Sequence, residues 1–300
     1  MSGSSGGGAA TVFRLQVIAA AVLFSTGGAA IKWCALGGWQ VASFRSGIAV
    51  VAILVMVPEA RRGWTWRTWL VGTAYAGMLI LYVLANKLTT AANTIFLQDT
   101  APLYVLLLGP FLLREHLRKS DLGVMIVMAA GMCLFFVGGQ RHFATAPNPM
   151  LGNVLAATAG LFWALTILGL RWLARGGDAA ASAAAATCGN LIAFVGGLAL
   201  ALPVGRITAA DGISIVYLGL IQVGLAYVLL TRGMRGVPAL ETSLLLLVEP
   251  VLNPVWAWLV HGEYPGAWAG FGGVLILGAT VWRALRADGS SSLQESGGTP

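Results

Sequence analysis

Glu249, Asn253 and Trp256 stand at i, i+4 and i+7, and on a helix those positions share one face. A carboxylate, an amide and an indole would then open on one space. The carboxylate suits an ammonium group and the indole an apolar side chain, so the set fits a small zwitterion. A structural alternative is compatible with this: Glu249 could satisfy backbone amides freed around Pro250 and Pro254, each of which lacks a donor and bends its helix. Gln98 and Asp99 come one turn before Pro102 in a similar apolar run. Asp99 either takes a proton in coupling or neutralises Arg45 or Lys32, and the ion pair is the favoured role, because an uncompensated buried charge is very costly. Tyr75, Tyr82 and Asn86 form a polar and aromatic stripe, joined by Trp163, Gln222 and Tyr227. Aromatic residues at helical spacing commonly serve as packing or interface anchors. Tyr82, Trp163 and Tyr227 lie away from the expected helix ends, so contact with a solute competes evenly with that role.

These residues sit in a chain whose composition dictates their setting. Hydrophobic residues make up 58% of the 300 and charged residues 10%, against roughly 45–50% and about 25% in a soluble domain. Spans of about 20 apolar residues cross the bilayer as helices. Ten segments qualify: 13–33, 40–58, 67–87, 92–113, 121–139, 150–173, 179–203, 210–232, 239–260 and 265–284. The Gly- and Ser-rich ends, residues 1–10 and 287–300, are expected to be disordered. The first span is too long for a signal peptide and is read as uncleaved. Cys34, Cys133 and Cys188 have no metal-like spacing, so neither a disulfide framework nor a metal or cofactor site is expected.

The net charge of +7 is distributed by side rather than gathered for an acidic partner. With the N-terminus inside, thirteen basic residues fall on the inner face: Arg14; Arg61, Arg62 and Arg67; Arg114, Arg118 and Lys119; Arg171 and Arg175; Arg232 and Arg235; Arg283 and Arg286. Four, namely Lys32, Lys87, Arg141 and Arg206, fall outside, and Arg45 lies within the second span. This positive-inside bias predicts cytoplasmic termini and leaves no role for nucleic acid. Lys87 and the tryptophans near span ends, including Trp33, Trp64, Trp66 and Trp69, are explained by snorkelling and interface anchoring.

The chain also repeats itself. Ala101-Pro102 precedes Glu115 as Glu249-Pro250 precedes Glu263, at an offset of 148 residues, and Tyr82–Lys87 answers Tyr227–Arg232. Two units, 13–139 and 150–286, each hold five spans. An odd number of spans makes the second unit enter the membrane from the opposite side. The fold class expected is therefore an all-α polytopic membrane protein of two inverted five-helix repeats. Such repeats are a transporter signature, with the substrate near the midplane between the halves. Pro102, Pro250 and Pro254 should break or bend their helices there. Glu115 and Glu263 close their helices beside loops, as terminal contacts or gating partners.

The segments Ala30-Ile31-Lys32, Phe44-Arg45, Tyr82 to Leu113, and Glu249-Pro250 through Gly262-Glu263 resemble the drug/metabolite transporter superfamily, in its EamA branch of duplicated five-helix units. The likeness runs from about residue 13 to 286 and is strongest to bacterial amino acid exporters. It implies an inner-membrane exporter of small metabolites, amino acids foremost, with the fifth and tenth helices bracing the rim. Arg114-Glu115 departs from the Gly-Glu ending expected in the first half, which leaves open how that helix terminates. A two-half carrier of this kind can work as a monomer.

Other classes fit less well. His116, His142 and His261 lie in loops or at span ends with no HExxH or paired-aspartate motif, which argues against an intramembrane enzyme. A channel does not require two inverted halves with paired breaks. Phosphorylated substrates, such as nucleotide sugars, want several cationic side chains in the cavity, whereas only Lys32 and Arg45 lie in the spans proper. A multidrug cation carrier wants an acid in an aromatic cage, which Glu249 and Trp256 partly supply.

Overall fold

A computed structural model describes residues 5–113, 119–137, 143–175 and 180–296, and the described residues are helical apart from short connections. Among the described residues nine segments are long and apolar enough to cross a membrane, with Asp121–Val137 as a shorter apolar helix. Large apolar side chains such as Val51, Phe111, Ile126 and Val274 point outward, Phe111 with 83% of its surface exposed. That is the arrangement expected where lipid rather than water surrounds the bundle. Glu115 falls among residues 114–118, outside the described residues. The backbone is helical at residues 5–10 and 287–296, where disorder was expected: α1 runs Ser5–Ser25 and α14 runs Ala267–Ser296. Each of these polar ends continues an apolar helix, and elongating an existing helix avoids the cost of nucleating one.

The first span is broken. After α1 the chain re-enters a helix at α2 (Gly27–Trp33). The sequence accounts for the interruption at Thr26. Ser25 and Thr26 turn their hydroxyls back onto the carbonyls of Val22 and Leu23, both at 2.7 Å, an alternative to the helical ladder. Gly27 and Gly28 follow, with low helix propensity. Beyond it lie α3 (Gly38–Met56) and α4 (Trp66–Leu88), the latter capped by Thr65.

The fourth span divides into α5 (Ala91–Gln98) and α6 (Ala101–Leu113), and the ninth into α12 (Ala239–Leu246) and α13 (Val248–His261). Both breaks have one cause. A proline cannot donate to the carbonyl four residues back, and its ring collides with that carbonyl. Four residues before Pro102 is Gln98, and four before Pro250 is Leu246; these are the residues at which α5 and α12 stop. The breaks thus lie just upstream of the prolines rather than at them. Pro254 is different: it sits inside a continuous α13, as Pro110 sits inside α6. The expectation of a break at Pro254 is corrected to an internal proline, which packed neighbours allow within a membrane span.

The remaining elements are α7 (Lys119–Val137), α8 (Pro149–Ala174), α9 (Ala180–Ala201), α10 (Ala209–Val216) and α11 (Ala226–Gly233). Between α10 and α11, residues Tyr217–Leu225 are π-helical, a form that occurs frequently at functional sites. In the bundle α4 packs along α8 and α9, α3 along α9 and the π-helical segment, α1 along α11, α12 and α13, α8 along α5 and α6, and α7 against α14. Small residues let these backbones close: a Cβ on Gly219 would lie 2.6 Å from the Arg45 carbonyl oxygen, and one on Gly272 2.6 Å from that of Gly131.

Candidate functional site

The polar residues of the interior fall into three groups. The central one is built by α3, α4, the α5–α6 break and the start of α13. Arg45, on α3, is 2% exposed. It donates through Nη2 to the Leu79 carbonyl of α4 at 3.2 Å, and its Nε has no partner among the described residues. Tyr75 and Tyr82, on α4, lie within its electrostatic reach. Asn253 of α13 is fully buried and donates to the Tyr82 hydroxyl at 3.3 Å. Glu249, one turn earlier, lies within electrostatic reach of Asp99, Tyr75 and Tyr82. Gln98 and Asp99 sit where α5 ends, and Gln98 Oε1 and Asp99 Oδ2 are buried without partners. The Trp163 ring of α8 stands 6.2 Å from that of Tyr75. Of the residues singled out in the sequence, Tyr75, Tyr82, Asp99, Trp163, Glu249 and Asn253 are linked to one another by these contacts, and Gln98 adjoins Asp99.

The second group surrounds the break in the first span. Gln222, in the π-helical segment, donates to the Phe24 carbonyl at 3.3 Å, and Trp256 Nε1 donates to Ser25 Oγ at 2.9 Å. Tyr217 and Thr26 share a hydroxyl contact at 2.7 Å. Gly27 leaves room for the Gln222 amide, since a Cβ there would lie 2.7 Å from its Nε2. Trp256 is thus tied through its N–H to α1 and offers only its ring face. Tyr227 packs against a cluster of Ile53, Val57, Ala60, Ala183 and Val228, and is also within electrostatic reach of Tyr75 of the central group.

Lys32 belongs to a third group, at the end of the bundle that carries the α2–α3, α4–α5, α7–α8 and α13–α14 connections. Its ammonium pairs with Glu263 at 2.9 Å, both side chains 1% exposed, and donates to the carbonyls of Thr89 and Thr145 at 2.8 and 2.7 Å. Glu263 also accepts from the Ala91 amide at 3.0 Å and from the Thr145 hydroxyl. Next to it His261 meets the Ala29 carbonyl at 2.9 Å. Lys87 donates to the Cys34 carbonyl, and Asp211 accepts from the Ala35 amide at 2.7 Å. Burial pushes the Cys34 thiol up from its ordinary value.

Three expectations are corrected here. Asp99 neutralises neither Lys32 nor Arg45: Lys32 has Glu263, and Arg45 and Asp99 have no ion pair among the described residues. Lys87 does not snorkel to solvent but ties α4 to the end of α2. Glu249 does not satisfy amides around Pro250, because its carboxylate makes no hydrogen bond among the described residues. The largest omission of the sequence reading is the depth at which Glu263 is buried. A signal for it existed, in a Lys32 that had to find a counter-ion and a glutamate in the mirror position of Glu115.

An apolar groove of 840 Å³ on the outside of the bundle, lined by Phe44, Ile48, Val51, Phe194 and Leu220 among others, has none of this chemistry. It has the character of a lipid-facing surface.

The EamA-like transporter family model matches twice, at residues 14–137 and 150–283. The chain belongs to the EamA-like transporter family. The two matched segments coincide with the units marked by the internal repeat. Among similar proteins, an uncharacterized transporter of Methanothermobacter thermautotrophicus is 25% identical over 218 residues, covering 70% of this chain and 61% of that one. The uncharacterized transporter YdfC of Bacillus subtilis is 27% identical over 218 residues, covering 71% of this chain and 69% of that one. A protein of known crystal structure superposes with a TM-score of 0.61 at 22% identity, over 93% of this chain and 98% of the other, a likeness of fold. The chain spans less than two thirds of the first of these relatives, and its apolar helices agree with a multi-pass membrane protein of this transporter family; both curated relatives are named only as uncharacterized transporters.

Proposed function

We propose that this EamA protein exports amino acids, aromatic and other apolar ones foremost, and related small metabolites across a bacterial inner membrane, by alternating access at the central polar group. The single observation that carries this reading is the set of ionisable side chains Arg45, Asp99 and Glu249, all within apolar spans, with Arg45 and Glu249 both in reach of Tyr75 and Tyr82 and none of the three in an ion pair among the described residues. A charged side chain at bilayer depth costs about 2.5–3.5 kcal/mol on insertion scales. Three such groups without mutual neutralisation are better explained by a charged solute than by packing. Asp99 and Glu249 face an ammonium group; Tyr75, Trp163 and the ring of Trp256 offer cover for an apolar side chain.

Two further observations support ten spans in inverted halves and motion between them. The packing pairs exchange when each helix is replaced by its counterpart about 148 residues away: α4 on α8 answers the π segment and α11 on α1, α4 on α9 answers the π segment on α3, and α5–α6 on α8 answers α12–α13 on α1. The ends also differ. One is sealed by the buried Lys32–Glu263 pair; the other carries exposed pairs, Arg14–Glu241 at 2.5 Å and Arg235–Glu59 at 3.1 Å. The arginine-rich end is assigned to the cytoplasm, with both termini.

Two carboxylates in one interior group also favour a second reading, a carrier of organic cations. A screen of radiolabelled amino acids and organic cations in proteoliposomes, with and without a pH gradient, separates the two. Amino acid counterflow that cations do not inhibit is the expected result; flux of cations alone would replace the proposal by the second reading.

A further inference from the structure

We infer that Arg45 is the carboxylate anchor of the transported solute, an inference that rests on the transporter reading above and names the chemistry its substrate must carry. A guanidinium has five N–H donors in a fixed fork. Among the described residues Arg45 makes one hydrogen bond, to the Leu79 carbonyl, and its Nε is buried with no partner. With 2% of the residue exposed, those donors have no bulk water to turn to, and a buried donor left unmade costs free energy. Lys32, the other cation of the spans proper, is already spent on Glu263.

What surrounds Arg45 fits an oxyanion. The Tyr75 and Tyr82 hydroxyls lie within its electrostatic reach and can donate beside it. Glu249 lies within electrostatic reach of the same two tyrosines and of Asp99, and neither carboxylate has an ion pair among the described residues. Tyr75 and Tyr82 are thus shared by the Arg45 cation and by Glu249, which fits a solute that carries both a carboxylate and an ammonium group. A phosphate fits poorly: a dianion would bring two charges to one guanidinium and face two carboxylates. The purely structural account, in which Arg45 joins α3 to α4, needs only the Leu79 contact and leaves Nε unexplained.

Three related probes and one control test the anchor: L-phenylalanine, its amine phenethylamine, its acid 3-phenylpropionate, and phenyl phosphate. Binding is read on detergent-purified protein by ligand-induced thermal shift, and flux by counterflow in proteoliposomes. In the unmodified protein phenylalanine should bind at least about tenfold more tightly than phenethylamine, since charge-assisted bonds to a fork are among the stronger ones, and phenyl phosphate should not compete. In Arg45→Met the gap between amino acid and amine should narrow to about twofold or less, with an unchanged unliganded melting temperature. Should Arg45→Met fail to fold, the wild-type series together with Arg45→Lys decides, because lysine keeps the charge but loses the fork. An amine that equals the amino acid in the unmodified protein, or a gap that persists in the variant, overturns the anchor. Binding with the expected pattern but no flux leaves the anchor standing and sinks the transport reading. Flux of the amine alone sinks the anchor and replaces amino acid export by the organic-cation reading, and the absence of both binding and flux for every probe sinks both.

Discussion

At the scale of single residues, the interior contains two solutions to the problem of buried charge. Lys32 and Glu263 satisfy each other and are further held by Thr89, Ala91 and Thr145. Removing one partner strands the other, so Glu263→Gln should lower stability by about 3–5 kcal/mol, while the double replacement Lys32→Met/Glu263→Leu should recover most of it, as buried pairs exchanged for apolar residues commonly do. Thermal melts of the two purified variants and the parent check this; equal melting temperatures for Glu263→Gln and the parent would contradict it. Arg45, Asp99 and Glu249 are the opposite case, charges kept without a direct mate. Their types and depth were readable from the sequence, because any ionisable group in an apolar span stands out. Their partners were not. Which carboxylate meets Lys32 depends on how the α13–α14 connection folds back onto α2 and α5, a tertiary event more than 200 residues along the chain.

At the scale of elements, proline spacing sets where the helices stop. Pro102 ends α5 at Gln98 and Pro250 ends α12 at Leu246, each four residues upstream. Restoring a donor with Pro250→Ala should let α12 run into α13, moving Glu249 and Asn253 relative to Tyr82. Counterflow is expected to fall severalfold with stability unchanged or raised, since an interior proline costs a helix about 3 kcal/mol. Pro254→Ala, in a helix that is already continuous, should have a smaller effect. Comparable losses from both, measured under the same conditions, would argue against the break as a site-building device. Spans and their limits were legible because apolar length is a strong signal. The break at Thr26 was less so: Ser25, Thr26, Gly27 and Gly28 weaken a helix only when something nearby gains from the interruption. Here Gln222 and Trp256 take up Phe24 and Ser25. The π-helical turn at Tyr217–Leu225 leaves no mark in composition; within it Gly219 closes against the Arg45 carbonyl, a tertiary contact.

At the scale of the whole molecule, two EamA segments of one chain meet around one asymmetric polar centre. The repeat was visible as matched proline and glutamate spacing, and the family match falls on the same two segments. The asymmetry was visible as well, since Ala101 stands where the second copy has Glu249. If alternation between halves moves the solute, joining the sealed end should stop it. Cysteines at Lys32 and Glu263, with Cys34, Cys133 and Cys188 replaced by serine, should give a thiol-linked protein with little counterflow, and reduction should restore it. Unaltered flux in the linked form would count against opening at that end. A tag at the C-terminus should remain unlabelled from outside intact cells, as the arginine-rich end requires.

The most direct measurement is counterflow of labelled phenylalanine in proteoliposomes over a range of concentrations, for the unmodified protein and Glu249→Gln. The predicted result is a flux that saturates, is stimulated by solute on the far side, and falls at least about tenfold in the variant while its melting temperature holds, a loss equivalent to about 1.4 kcal/mol. A flux that rises linearly without saturation, or one that Glu249→Gln leaves unchanged, would contradict a carrier built around this centre.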